Sequence, residues 1–314
     1  MSMLVETLGV LAHRGGMIAR HPQLTVGVVG AFARPTGLEL DLLARRPPDP
    51  GWAERRLADL RARRSGPAPR RLLPAFDEGL DLRVGWLDET GRAHWEFGSW
   101  ESSSDYDGFS LRTRLQFPPR YSSVPVALAW PEIGFPETVV DLPLPDRETV
   151  ERGTVSIWDA PVHTEKPPPG LRRGEALELL DEPPVETGRI VAPPRVLHRS
   201  RDAAVVLTRV TAVGALLSME IVTVAHGEPA TAATAEAFPP RTPDGGPGVS
   251  IALLDGVQAA AVSPSGATSA GGPETFQSRV EYTVRRPGDD ALHLLVAWPV
   301  AGLREVHATV MLLA

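Results

Sequence analysis

Sixteen residues, HWEFGSWESSSDYDGF, set aromatic rings beside carboxylates more densely than any other part of the chain. A ring face next to a carboxylate is the arrangement that sugar binding or recognition of a cation requires. Trp95, Glu96, Trp100, Glu101, Asp105, Tyr106 and Asp107 are therefore the candidate ligand- or partner-binding residues. The run Asp105-Tyr106-Asp107-Gly108 offers oxygens to calcium, but it lacks the downstream bidentate glutamate of a helix-loop-helix calcium loop, so no metal site is assigned. The plain structural reading of the same stretch is a hairpin with edge packing.

A second cluster is basic. Between Arg45 and Arg71 stand nine arginines against Asp49, Glu54 and Asp59. The segment DPGWAERRLADLRARRSG inside it has Asp49 as a helix N-cap and Pro50 in the first turn, which predicts a short helical insertion near 51–64. Arg55, Arg56, Arg63 and Arg64 on such a helix could contact a phosphate or an acidic partner, and the plainer alternative is a solvated face covering a sheet edge. The net charge of −7 offers no overall attraction to nucleic acid or to anionic lipid.

Catalytic signatures are absent from the sequence. There is no G-x-S-x-G elbow, no G-x-x-x-x-G-K loop, no G-x-G-x-x-G after a strand and no H-E-x-x-H. With no cysteine, thiolate nucleophiles, disulfides and cysteine-bound metals are ruled out. The eight histidines are scattered, with no pair at ligand spacing. The chain reads as non-enzymatic, with neither cofactor nor metal, although two distant carboxylates could in principle meet across a sheet face.

The elements that position these residues come in two sets. The stretch around Trp130 and the stretch around Trp298 share A-W-P-x-x-G-x-x-E: Ala129, Trp130, Pro131, Gly134 and Glu137 against Ala297, Trp298, Pro299, Gly302 and Glu305. Upstream, Leu111, Thr113, Leu115 and Phe117 alternate with Arg112, Arg114 and Gln116, the period-two pattern of a half-buried strand, and Val280, Tyr282 and Val284 alternate likewise with Arg279, Glu281 and Thr283. Leu82, Val84 and Trp86 precede the turn at Asp88 as Val249, Ile251 and Leu253 precede Asp255. Earlier still, a strand, a turn with Gly37 and a second strand correspond to VVLTRVTAVGALLSMEIVTV with Gly214 at its turn, both glycines being expected to supply a positive φ. The many β-branched residues of the second segment argue against a helix there.

These repeats predict an all-β chain of two tandem antiparallel, Ig-like β-sandwich domains related by internal duplication, with the short helix inserted in the first. The expected spans are 20–160 for the first domain, 161–202 for a proline-rich linker with one helical candidate at Leu171 to Leu180, and 203–314 for the second. The 32 prolines, which break long helices, and a chain of 314 residues agree with that division. Trp130 and Trp298 are expected as core pegs, Pro131 and Pro299 as strand stops, and Gly134 and Gly302 as turn residues.

The run FARPTGLELDLLAR, an aspartate-and-glycine turn and Trp130, Pro131, Gly134, Pro136, Glu137 and Thr138 together resemble an actinobacterial family of β-domain proteins that brings no known activity. Copy two departs from that pattern, with Leu303, Arg304, Glu305 and Val306 at its end. The resemblance implies the tandem fold and adds no mechanism.

The function expected from all this is binding or assembly, with loops and strand edges of tandem sandwiches presented to a protein partner or to a second copy. A carbohydrate-binding or carbohydrate-active protein using the 94–109 loop is the alternative, with a sugar or other small molecule as ligand. The N-terminus lacks the basic lead and small-residue cleavage site of a secretory signal, and the most apolar window, 203–225, is broken by Arg209, Gly214 and Glu220. A cytoplasmic protein with no membrane contact is the expectation.

Overall fold

A computed structural model describes residues 6–46, 71–73, 82–96, 100–105, 108–174, 177, 188–237, 249–272 and 274–313; for 100–105, 108, 109 and 132 the backbone alone is described. The helix expected near 51–64 lies outside these residues. The chain is all-β, built from several antiparallel sheets, and only two short α-helices occur among the described residues. It forms two compact units, residues 10–153 and residues 1–9 with 154–314.

Strand β1 (Thr7–Leu8) belongs to the second unit, where it pairs with β12 (Val155–Ser156). In the first unit, β2 (Val10–His13) and β3 (Gly16–His21) lie end to end along β4 (Leu24–Arg34). The sheet continues through β5 (Gly37–Arg46) and β9 (Gly108–Phe117) to β8 (Trp100–Asp105). A four-stranded sheet runs in the order β11 (Phe135–Pro143), β10 (Ser123–Trp130), β6 (Arg83–Leu87), β7 (Ala93–Glu96). Helix α1 (Arg147–Gly153) follows, its first turn capped by Asp146, whose Oδ1 accepts the Thr149 N–H at 2.7 Å.

The second unit repeats this order. Strands β15 (Arg189–Ala192) and β16 (Arg195–Arg199) lie along β17 (Ala203–Val213), followed by β18 (Leu216–His226), β22 (Thr275–Arg285) and β21 (Pro264–Gly271). Its other sheet contains β24 (Leu303–Met311), β23 (Ala291–Trp298), β19 (Ser250–Asp255) and β20 (Gln258–Ala261), and is extended at its two ends by β13 (Thr164–Glu165) and β14 (Arg172–Arg173). Helix α2 (Gly227–Ala237) follows β18.

The registers correspond as well as the order. Leu40 faces Leu115 as Met219 faces Tyr282. The hairpin β4–β5 shifts register between Val28 and Gly30, opposite Leu42 and Asp41, and β17–β18 shifts between Leu207 and Arg209, opposite Ile221 and Glu220. A bulge of this kind adds twist to a long hairpin, and both long hairpins carry it at the same point. In each unit the apolar face of one sheet meets that of the other in one core. Leu40, Leu115, Val126 and Trp130 share the first core, and Met219, Tyr282, Leu294 and Trp298 share the second.

The tryptophan motif has the same geometry twice. Trp130 is fully buried and Trp298 is 2% exposed. After each, proline opens a single 3-10 turn, Pro131–Ile133 or Pro299–Ala301. Gly134 and Gly302 then close it at φ 78° and 75°, each N–H donating to the proline carbonyl at 2.9 Å.

Three expectations change. Gly37 does not adopt a positive φ: it opens β5 opposite Arg34, and a Cβ there would meet the Phe117 carbonyl oxygen at 2.7 Å. Close approach of β9 requires this glycine, while Gly214, at φ 55°, sits inside the turn two residues before β18 begins to pair. The stretch 161–202 is not only a connector, because β13, β14, β15 and β16 all join sheets of the second unit. Its prolines limit these strands to between two and five residues and leave them at sheet edges, where a missing donor costs least. Within the helical candidate, Arg172–Arg173 is a strand.

Candidate functional site

The hairpin β6–β7 is held by one carboxylate. Asp88 Oδ1 accepts the Thr90 hydroxyl at 2.6 Å, the Thr90 N–H at 2.9 Å and the Arg92 N–H at 3.0 Å, and its Oδ2 lies 2.7 Å from Nε2 of His94. The Thr90 hydroxyl and then the His94 ring hold the Asp88 carboxyl well below the usual carboxylate range. The His94 ring stacks on Trp86, with centroids 4.3 Å apart and planes 9° apart, and the Arg120 guanidinium lies 4.0 Å from the Trp86 ring centroid. Trp86 is 8% exposed, so this stack belongs to the core edge.

The residues singled out from 94–109 divide between sheets. Trp95 and Glu96 lie on β7, while Trp100, Glu101 and Asp105 lie on β8 of the other sheet. Tyr106 and Asp107 lie outside the described residues, as do Arg55, Arg56, Arg63 and Arg64. Trp95 keeps its indole nitrogen buried, without a hydrogen-bond partner among the described residues.

The strongest contrast between the units is at the sheet edges. In the second unit β14 runs parallel to β20: the Arg172 N–H donates to Val257 O at 2.8 Å, the Gly174 N–H to Ala259 O at 2.9 Å and the Leu177 N–H to Ala261 O at 2.8 Å. The opposite edge, β24, takes β13 through Thr164 and Glu165. In the first unit the corresponding edges are β7 and β11, and neither has an outer strand partner among the described residues. Unpaired edge N–H and C=O groups are a template for a further strand.

A cavity of about 370 Å³ lies in the second unit, lined from both of its sheets and from α2. Two register positions beside it differ in residue type between the units. Trp95 pairs with Gly85, which pairs with Ala127; at the matching register Ala261 pairs with Ala252, which pairs with Leu295. Trp100 pairs with Thr113, which pairs with Leu42; at the matching register Ala267 pairs with Val280, which pairs with Ile221. Both Ala261 and Ala267 line the cavity, and since paired residues share a face, Ala267 stands with the core residues Val280 and Ile221 while Ala261 stands with Ala252 and Leu295 on the outer face of its sheet.

Three further contacts escaped the sequence. His293 Nδ1 and His307 Nε2 approach to 3.2 Å on adjacent strands, fourteen positions apart, a spacing that carries no signal without the hairpin register. Glu137 accepts the Leu72 N–H at 2.8 Å and also those of Arg71 and Leu73. Glu305, its counterpart, pairs with Arg173 at 2.7 Å. Among the described residues no three histidine, aspartate or glutamate side chains converge as metal ligands. No described helix is long and apolar enough to cross a membrane.

Comparison with known proteins gives no family. No family model and no curated protein matches the chain. Solved structures include a conserved domain protein from Bacillus anthracis, at 9% identity and TM-score 0.22, with 91% of this chain and 77% of that one covered. Bovine butyrophilin aligns at 9% identity and TM-score 0.21, covering 90% of this chain and 93% of its own. At these scores neither likeness carries an argument.

Proposed function

We propose that this is a non-enzymatic binding or assembly protein, in which tandem Ig-like β-sandwiches that arose by internal duplication present a strand edge of the first unit to a protein partner. The matching strand order, register and bulges support duplication, and the resemblance to an actinobacterial β-domain family belongs to the same reading. The observation that carries the function is the edge contrast. The second unit seals β20 and β24 with strands of its own chain, whereas β7 and β11 carry no such seal among the described residues. Addition of a partner strand to an open edge uses main-chain hydrogen bonds for affinity and side-chain pockets for specificity.

The carbohydrate alternative needs the rings and carboxylates of 94–109 on one concave surface, and their division between β7 and β8 favours the edge reading instead. A cytoplasmic location accompanies the proposal. The test compares wild type with a chain carrying Ala93→Pro and Trp95→Lys, using sedimentation for self-association and affinity capture from a host extract for other partners. Loss of the assembly, or of a captured protein that re-binds in purified form, supports edge pairing. An unchanged partner set overturns it.

A further inference from the structure

The geometry points to a ligand site in the second unit: the cavity between α2 and the two sheets takes an apolar-bodied amine, its cationic head against Glu236. This goes beyond the edge-pairing proposal and stands without it.

Volume is the first support. About 370 Å³ falls within the range of about 300–1,000 Å³ typical of small-molecule pockets.

Lining chemistry supplies the class. Ile251, Phe276 and Trp298 give apolar and aromatic walls suited to a hydrocarbon or ring body. The Tyr282 hydroxyl already donates to Val249 O at 3.4 Å, and burial pushes its ionisation up, so it stays neutral. Glu236 is the charged group of the lining. It stands in the last turn of α2, where no basic residue occurs and the helix presents its negative end. Desolvation pushes the Glu236 carboxyl up. An ammonium group placed there meets both the carboxylate and the helix C-terminus, which favours a cation over a neutral or anionic head.

Calorimetry with octylamine, octanol and octanoate on the full chain tests the assignment. Octylamine is expected to bind saturably, and octanoate at least about tenfold more weakly. Glu236→Gln should weaken octylamine about tenfold and leave octanol unchanged. Ala267→Trp should abolish all binding while keeping the far-ultraviolet spectrum, and Ala267→Leu should weaken binding if the tryptophan variant does not fold. Absence of saturable octylamine binding overturns the proposal. So does octylamine binding that survives Ala267→Leu unchanged, or octanoate binding as tightly as the amine.

Discussion

Arg173 Nη2 donates to Glu305 Oε2 at 2.7 Å, tying the strand that closes one edge of the second unit to a side chain on β24. Glu137 does related work in the first unit, gripping the backbone of residues 71–73. The same glutamate of the tryptophan motif thus fastens a crossing segment in each unit, by different chemistry.

Glu305→Ala should therefore loosen an edge more than it destabilises a domain. Arg173 is 65% exposed and such pairs contribute about 0–1 kcal/mol. Denaturant unfolding should shift by less than about 1 kcal/mol, while amide exchange at 258–261 accelerates as β14 detaches.

The buried indoles should matter equally in the two units. Trp130→Ala and Trp298→Ala each remove a large side chain that is at most 2% exposed. A loss of about 3–5 kcal/mol is expected for each in chemical denaturation, with Phe costing less than Ala.

The glycines after the 3-10 turns face a backbone penalty rather than a packing one. A Cβ at Gly134 or Gly302 would meet nothing within 4 Å, so strain comes from φ 78° and 75° alone. Gly134→Ala and Gly302→Ala should each cost about 1–2 kcal/mol, and asparagine should cost less because it tolerates the left-handed region. Thermal unfolding of the four variants checks this order.

Acid should loosen the β6–β7 hairpin. The Asp88 carboxyl is depressed in the folded state, so its contribution is complete above the ordinary value of 3.8 and is lost as pH falls through the lower folded value. The Asp88 carboxyl carbon should titrate below 3.8 by nuclear magnetic resonance. Asp88→Asn should remove the acid-dependent change in amide exchange at residues 90–94.

Much of the fold was legible because it rests on period and punctuation. Leu111, Thr113, Leu115 and Phe117 announce one strand by their period, and Trp130-Pro131 announces the end of the next. Short strands such as Arg172–Arg173 were not legible: two residues carry no period, and their pairing is set by the edge they meet. Gly37 stands out in the sequence, yet sequence cannot separate a glycine needed for φ from one needed for the approach of Phe117. The aromatic run of 94–109 draws attention by what it contains, whereas the cavity depends on which core residues the strand register brings together, such as Ala267 with Val280, and no sequence period shows that.

Hydrogen exchange at the two equivalent edges tests the edge contrast most directly. In the purified full chain, amides of 93–96 should include outward N–H groups exchanging at least about tenfold faster than their counterparts in 258–261, which β14 flanks. Equal protection at the two strands would mean that the β7 edge is already occupied, and would contradict its role as the surface offered to a partner.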